Sequence, residues 1–321
     1  MLIILKIFQA VYSRVARVCK KDNGGPHTYK NKWTTFLKAR LNCSMPGAYP
    51  FYFDQVQAMS QVVQDSKTDD KLIFGIFNTP ENSITGSAVC SFRLSDIADS
   101  FNGPFKGQND ANSNWLPIAK HDEPSVRPGS CHNDSKSLDD KYLNFIKENT
   151  LVDKAVGSSI NYIKTSPHER LTAIAVDPSV SLTNGDSVDV LFVGTTRGRV
   201  IKMASFKDED GVPRTNVIEE MQVFPLHVAV NNILVVKTDG QTRVVVLSDH
   251  EVKSIPVQRC QDQDVCNACV GIQDPYCAWN IQQQTCDTHQ GSKVDASSLL
   301  QNIGRGVHPG CPATSSSYSG K

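Results

Sequence analysis

Six cysteines are concentrated near the end of the chain, and thiols at such spacings can bind a metal or form disulfide bridges. Cys266 and Cys269 are separated by two residues, as in zinc knuckles and thioredoxin-like redox sites. No second pair with this spacing follows, and no βαβ pattern flanks the first pair. We therefore interpret the six thiols as three disulfides, with zinc binding as the alternative and a redox role as a weaker one. The other four cysteines of this group are Cys260, Cys277, Cys286 and Cys311.

The size of this segment favours the same interpretation. A stretch of about 50 residues cannot bury enough apolar surface to offset its chain entropy, so it needs cross-links or a metal. The spacing alone leaves the pairing of the six cysteines open. Tyr276 and Trp279, which flank Cys277, are expected to pack against the bridges rather than to form a ligand platform.

Composition limits the classes of function. The chain has 321 residues, is 39% hydrophobic and carries 33 basic and 33 acidic side chains, so its net charge is zero. Such a chain can form a substantial core, and it lacks the concentrated positive charge that binding to nucleic acid requires. Ten cysteines and two N-x-S sequons, at Asn42 and Asn133, predict an oxidising, extracellular or cell-surface location with glycosylation at these asparagines. No cofactor is indicated.

The ends of the chain are interpreted separately. Residues 1–10 are apolar and resemble half a signal peptide, but Lys6 interrupts the run and no small-residue cleavage site follows. We therefore interpret the chain as truncated at its N-terminus and leave residues 1–10 unassigned. Residues 313–321 are expected to be a tail. No apolar run is long enough to span a bilayer.

Short strands separated by turn-rich segments are predicted over most of the remaining chain. The pattern breaks at about residues 95–165, where we predict a helical insertion. In it Ser137 and Asp140 approximate a capping box. Leu138, Tyr142, Phe145 and Ile146 share one face of the predicted helix. The strand candidates before the insertion are 11–19, 33–41, 51–56, 71–77 and 87–92.

After the insertion the strands fall into two groups of four. Repeated four-stranded units are typical of β-propeller blades, which bury their faces against their neighbours. A β-sandwich is the alternative. The first group is 171–177, 189–194, 199–203 and 216–224, and the second is 226–230, 233–236, 243–247 and 251–255.

The cysteine pattern C-x5-C-x2-C-x7-C-A-W, which begins at Cys260, resembles the PSI module of plexins, semaphorins and integrins. The preceding chain resembles the sema domain of semaphorins, most closely that of the invertebrate transmembrane class 1 proteins. The resemblance implies an all-β fold: a partial sema β-propeller over residues 11–258 and a disulfide-rich module over residues 259–312. The family has seven blades, of which about three and a half are expected here. The matching stretches are 17–22, 33–44, 87–90 and 127–131.

The same resemblance implies how the cysteines pair. In the disulfide-rich module it implies three bridges, and it joins the insertion to the preceding blade by a further one. This further bridge, between Cys19 and Cys131, closes a loop of more than 100 residues, which is worth about 4 kcal/mol in a chain-entropy estimate. The implied pairs are Cys260 with Cys277, Cys266 with Cys311, Cys269 with Cys286, Cys43 with Cys90, and Cys19 with Cys131.

The resemblance also implies function: an extracellular ligand that binds a plexin receptor, dimerises through its propeller and guides axons by repulsion. A plexin-type receptor fragment is the alternative within recognition. An enzyme is not expected, because the sequence lacks a G-x-S-x-G elbow, an H-E-x-x-H helix and a phosphate loop. In a propeller hydrolase only Asp189 would qualify as a strand-start carboxylate, and His168 with Glu169 is read as a loop pair. Because half of the propeller is missing, we expect that the chain alone does not form a stable ring.

Overall fold

The computed structural model describes residues 11–65, 68–81, 83–110, 113–208, 211–238, 241–289 and 295–312. The apolar start at residues 1–10 and the tail at 313–321 lie outside the described residues. The described chain forms two compact units. Unit 1 consists of residues 11–55 and 92–158, and unit 2 consists of residues 56–91 and 159–312.

Strands dominate the secondary structure. In chain order the strands are β1 (Arg14–Arg17), β2 (Leu37–Arg40), β3 (Cys43–Met45), β4 (Phe51–Phe53), β5 (Gln55–Met59), β6 (Val63–Gln64), β7 (Lys71–Asn78), β8 (Gly86–Arg93), β9 (Phe105–Gly107), β10 (Leu116–Pro117), β11 (Leu151–Val152), β12 (Ser159–Thr165), β13 (Leu171–Ser181), β14 (Ser187–Thr195), β15 (Arg199–Lys207), β16 (Pro213–Gln222), β17 (Asn232–Thr238), β18 (Gln241–Leu247), β19 (Val252–Pro256), β20 (Cys277–Asn280), β21 (Thr285–Thr288) and β22 (Leu299–Leu300).

Helices are few and short. Over the described ranges, none has the length and apolar character needed to cross a membrane. The α-helices are α1 (Leu94–Ser100), α2 (Asp140–Glu148) and α3 (Cys266–Gly271), and the 3₁₀ helices are His27–Tyr29, Lys120–Asp122, Ser135–Ser137, Cys260–Asp262 and Ala296–Ser298.

The centre of unit 2 is a four-stranded antiparallel sheet in the order β13-β14-β15-β16. Its strands follow one another along the chain, as the four-strand repeat beginning at Leu171 predicts. Every residue of β14 from Val188 to Thr195 is buried, because both faces of the sheet are covered. A strand buried on both faces has a continuous apolar sequence instead of alternating polar and apolar residues.

Two further sheets of unit 2 cover this central sheet. One has the order β12-β8-β7-β5, with β6 paired to β7, and its Ile76 and Val89 pack with Leu191 and Val193 of the central sheet. The other has the order β17-β18-β19, and its core lies on the Phe192 side. Since β12 pairs with β8, the stretch predicted as an insertion to about residue 165 ends in a strand of the sheet.

The second four-strand group was predicted wrongly at its first member. Residues 226–230 form a turn and an irregular segment, so the sheet that follows has three strands. The Val228 N–H donates to Pro225 O at 2.9 Å, and the Val230 N–H donates to Thr195 O at 3.0 Å. Leu226 is 49% exposed whereas Val230 is fully buried. The alternating apolar residues of this segment therefore do not form a strand. The segment connects β16 to β17, and its buried Val230 holds it against the core.

Unit 1 contains a sheet in the order β1-β2-β11-β9-β10, the hairpin β3-β4 and the helices α1 and α2. Helix α2 confirms the helix predicted in the insertion but not its cap. Asp139 is the N-cap and accepts the Tyr142 N–H at 2.7 Å, whereas Ser137 lies in a 3₁₀ turn and donates to Asp134 O. The buried face of α2 consists of Tyr142, Leu143 and Ile146.

Two glycines in turns of the central sheet allow a matched test of turn geometry. Gly198 has φ +71°, and a Cβ added there would lie 2.6 Å from Phe224 O, whereas Gly185 has φ +87° with open space around it. We expect Gly185→Ala to lower the free energy of unfolding by roughly 1–2 kcal/mol, from backbone strain alone. Gly198→Ala should cost roughly 1–3 kcal/mol more, because the methyl group overlaps backbone. Urea denaturation of both variants measures the difference, and equal losses would show that the close approach is relieved.

Candidate functional site at the disulfide-rich module

The three bridges implied for the disulfide-rich module are present in the structure. Cys260 is bonded to Cys277, Cys266 to Cys311 and Cys269 to Cys286, with Cα separations of 5.4, 5.5 and 5.7 Å. Sulfurs bonded to each other are not available as zinc thiolates. No group of His, Cys, Asp and Glu within the described part of the chain is arranged to hold a metal ion.

The bridges form the core of the module together with a few apolar side chains. The small sheet β21-β20-β22 carries Trp279 and Leu300 into this core, and α3 contributes Val270. Trp279 is buried against the bridges, as expected for a packing role. Tyr276 packs elsewhere. It lies in the core formed by the sheet β13-β14-β15-β16 and the sheet β17-β18-β19.

Tyr276 joins the module to the central sheet through a buried hydrogen bond. Its hydroxyl donates to Asp177 Oδ2 at 2.6 Å, and Lys237 Nζ of β17 lies 2.6 Å from Asp177 Oδ1. Burial, together with the negative charge of Asp177, raises the pKa of Tyr276 above its ordinary value. The phenol therefore remains a proton donor, which is the role the Asp177 carboxylate requires.

Lys202 forms the second buried contact. Its side chain is 0% exposed, and its Nζ donates to Asp274 Oδ2 at 2.5 Å and to Val257 O at 2.6 Å. The Nζ also lies 4.7 Å from the centre of the Tyr276 ring, within the range of a cation–π interaction. Burial lowers the pKa of Lys202, and the charge and hydrogen bond of Asp274 oppose that shift.

We name these five side chains, Lys202, Asp274, Tyr276, Asp177 and Lys237, the docking network. They pair two positive with two negative groups around one phenol, so that the buried charges are compensated. The role of this arrangement is structural: it attaches the module to strands β13, β15 and β17. Each carboxylate is already engaged by hydrogen bonds or an ammonium group.

Sequence reasoning missed the docking network. One signal was available, because Lys202 interrupts the apolar run of β15 at a position that shares a face with Val200 and Ala204. A lysine there must find a partner. The sequence did not point to that partner, because Asp274 lies 72 residues further along the chain.

Amide side chains form a second set of contacts between the module and the central sheet. Asn216 Nδ2 of β16 donates to Ile303 O at 2.7 Å, and the Thr183 N–H donates to Gln301 Oε1 at 3.1 Å. Gln301 Nε2 also donates to Cys277 O at 2.8 Å. The module is therefore held at two places, by charged groups at one and by neutral amides at the other.

Asp189, the carboxylate considered for a hydrolase, is buried and accepts a backbone hydrogen bond. It is 9% exposed, and its Oδ1 accepts the Ser179 N–H at 3.1 Å. Ser179 has φ +55° in the irregular part of β13 between Asp177 and Val180. Burial, with the negative charges of Asp65 and Asp177, raises the pKa of Asp189 to about 6, and the Ser179 hydrogen bond opposes the shift.

This shift predicts a pH-dependent stability. Because the folded-state pKa of about 6 exceeds the value of about 3.9 for an unfolded aspartate, the folded chain binds more protons between these pH values. Stability should therefore fall as pH rises from about 4 to 6, by about 2–3 kcal/mol from this group. Asp189→Asn keeps the acceptor for Ser179 and removes the charge, so it should flatten this slope and raise stability at neutral pH.

Urea denaturation at several pH values tests this expectation. Asp186→Asn is the matched control, because it removes a charge from an exposed turn of the same sheet. The control should keep the slope of the parent. An unchanged slope in Asp189→Asn would assign the pH dependence to other carboxylates.

Glu169 and His168 are neighbours in the chain but differ in exposure to solvent. His168 is exposed, whereas Glu169 is buried and accepts the Thr195 hydroxyl at 2.8 Å. Glu169 also lies 3.2 Å from Lys164 Nζ and 3.5 Å from Arg199 Nη1. Burial opposes ionisation, but the hydrogen bonds from Thr195 and Lys164 outweigh it and lower the pKa of Glu169. Glu169 is thus an ionised anchor between strands.

The remaining predicted residues lie elsewhere. Cys19 is bonded to Cys131 in unit 1. Cys43 and Cys90 are both buried, and their pairing with each other stays a prediction. Among the two sequon asparagines, Asn133 is exposed, whereas Asn42 is half-buried and its backbone N–H donates to Val156 O at 2.9 Å.

Comparison with known proteins identifies the two parts of the chain. Residues 56–237 match the Sema domain, and residues 259–312 match the plexin repeat, known as PSI. Semaphorin-1A of Schistocerca americana is 47% identical over 94% of this chain and 43% of its own length. Semaphorin-1A of Drosophila melanogaster is 44% identical over 95% of this chain and 36% of its own length. The chain thus spans about two fifths of these relatives.

Solved structures show the same relationship. Drosophila Semaphorin 1a, extracellular domains 1–2, superimposes with a TM-score of 0.85 and 45% identity, over 94% of this chain and 61% of that one. A chain in the complex of Drosophila Plexin A with Semaphorin 1b has a TM-score of 0.84 and 41% identity, over 92% of this chain and 59% of that one. A partial Sema domain docked to a bridged PSI module, with these invertebrate class 1 relatives, places the chain in the semaphorin family.

Proposed function

We propose that this chain is part of an extracellular or cell-surface semaphorin that binds a plexin receptor. The observation that carries the proposal is its 41% identity and TM-score of 0.84 to a chain in a solved complex of Plexin A with Semaphorin 1b. The disulfides support an extracellular location, because such bridges persist in oxidising compartments. Asn133 is the sequon asparagine whose exposure suits a glycan, and Asn42 is proposed as a second site.

The biological role that we propose is axon guidance by repulsion, with dimerisation through the propeller of the full-length protein. Recognition by a broad surface suits what the site offers: four of the five side chains of the docking network are buried, and the fifth, Lys237, is paired with Asp177, so the network holds the module in place. In this proposal the Sema region extends over residues 11–258, and the PSI module follows it directly over residues 259–312. No residue is assigned to the receptor contact.

A plexin-type receptor fragment is the second candidate. The extracellular region of Plexin A4 superimposes with a TM-score of 0.62 at 18% identity, which shows a shared fold only. The identities of 41–47% to semaphorins favour the ligand over the receptor.

The test is a binding measurement with the longest secreted protein that contains this chain. It should bind an immobilised plexin A ectodomain with a Kd of about 1 µM or tighter, and an unrelated receptor ectodomain should not bind. Light scattering measures dimerisation, and growth-cone collapse measures repulsion. A folded, fully oxidised sample that fails to bind any plexin at about 50 µM would refute the proposal.

A further inference from the structure

We infer that the Cys19–Cys131 bridge is a site of thiol–disulfide exchange with extracellular thiols. Among the ten cysteines, Cys131 alone is exposed, whereas its partner Cys19 is 7% exposed. Cys311 is half-buried. The other seven cysteines are all buried, namely Cys43, Cys90, Cys260, Cys266, Cys269, Cys277 and Cys286.

The chain around Cys131 leaves this residue exposed to solvent. Residues 127–134 form turns and irregular structure. Pro128 and Gly129 are buried, with Gly129 hydrogen-bonded to Tyr142 of α2, whereas Cys131 is exposed. The residues that follow, His132, Asn133 and Asp134, are half-buried or exposed. Access to one sulfur is a main determinant of exchange rate, because the attacking thiolate must reach a disulfide sulfur to form a mixed disulfide.

The geometry sets the direction of the reaction. A thiolate attacks Sγ of Cys131 and forms a new S–S bond, while the Cys19–Cys131 bond breaks and its electron pair leaves on Sγ of Cys19 as a thiolate. Glutathione would remain attached to Cys131 as a mixed disulfide. A dithiol protein with a C-x-x-C site would use its second thiol to displace Cys131, giving two reduced cysteines and an oxidised dithiol.

Other contacts hold the same segment after the bridge opens. Arg17 Nη2 donates to Gly129 O at 3.1 Å, and the Gly129 N–H donates to the Tyr142 hydroxyl at 2.9 Å. The Ser135 hydroxyl donates to Gly24 O at 2.7 Å, 111 residues away in the chain. The Arg17–Gly129 and Ser135–Gly24 hydrogen bonds join the segments that the bridge joins, so exchange loosens residues 127–134 and leaves the fold of unit 1 intact.

Differential alkylation tests the inference. The intact secreted protein is treated with graded glutathione or dithiothreitol under native conditions and alkylated. It is then unfolded, fully reduced and labelled with a second reagent, and peptides are read by mass spectrometry. With dithiothreitol we expect Cys19 and Cys131 to take the first label at least about tenfold faster than any other pair, with unchanged circular dichroism. With glutathione, a portion analysed without the reduction step should carry the first label on Cys19 and glutathione on Cys131, and not the reverse.

Two variants make the result decisive. Asn133→Gln removes the neighbouring sequon, so slow exchange in both this variant and the parent would overturn the inference and could not be attributed to a glycan. The double variant Cys19→Ser with Cys131→Ser should remain folded and lose the fast phase. Earlier labelling of another pair, labelling only on unfolding, or an adduct on Cys19 would also overturn it. No plexin enters these measurements, so their outcome is independent of the proposed function.

Discussion

Asp274→Ala is expected to lower the free energy of unfolding by about 3–5 kcal/mol, because it leaves the ammonium of Lys202 buried without its hydrogen-bonded counter-charge. Lys202 is 0% exposed, and it would keep Val257 O, the Tyr276 ring and the negative charge of Glu219, to which it makes no hydrogen bond. The change removes few apolar contacts, so the loss should come from electrostatics. Urea denaturation measures it, followed by tryptophan fluorescence in a Trp33→Phe, Trp115→Phe background, so that the buried Trp279 of the module is the reporter.

The control is the double variant Lys202→Met with Asp274→Leu. Replacing both charged partners by apolar groups leaves no uncompensated charge, and such replacements are often neutral or stabilising. We expect the double variant to recover most of the stability that Asp274→Ala loses. A double-mutant cycle built from Lys202→Met, Asp274→Leu and their combination should show a coupling of about 2–3 kcal/mol. A double variant as unstable as Asp274→Ala would mean that the loss comes from shape or from the Tyr276 N–H, which Asp274 Oδ1 accepts at 3.0 Å, and not from the charge of Lys202.

Removal of the Cys266–Cys311 bridge is expected to have the second large effect. Its cysteines are 45 residues apart, against 17 for Cys269 and Cys286. In the chain-entropy model the longer loop is worth about 4 kcal/mol and the shorter about 3 kcal/mol. Paired replacements by alanine should therefore destabilise the module in this order. The midpoint of urea unfolding and the rate of limited proteolysis in residues 259–312 would show it.

The opposite order would also be informative. Cys269 and Cys286 are both buried in the core of the module, whereas Cys311 is half-buried. If loss of the shorter bridge costs more, the cavity left in this core outweighs the constraint on the unfolded chain. If both variants keep the stability of the parent, the view that the module depends on its cross-links is contradicted.

Sequence patterns predicted the central sheet better than the connections between sheets. The strand at Asp189–Gly194 is apolar after its first residue, as burial on both faces requires, and turn residues separate it from its neighbours. The segment at Leu226–Val230 is also rich in apolar residues, but only Val230 is buried, and a short apolar pattern cannot distinguish a strand from an anchored connection. Likewise, the cap of α2 shifted to Asp139 because several polar residues precede the helix.

The candidate site was predictable in part. The cysteines identified the module, but their pairing came from the family resemblance, because spacing leaves the connectivity open. The docking network stayed hidden since its members come from β13, β15, β17 and the module. Lys202 alone gave a signal, as a lysine within an apolar strand, and Tyr276 was assigned to packing inside the module when it packs beneath the sheets.

The burial of β14 on both faces has a consequence for the dynamics of unit 2. Its amides from Val190 to Gly194 pair with β13 on one side and β15 on the other, and sheets cover them above and below. Such amides exchange with deuterium only when a large cooperative unit opens. Protection factors should therefore be highest in β14 and decline toward β19, so the slowest-exchanging peptide would report the global opening free energy of unit 2.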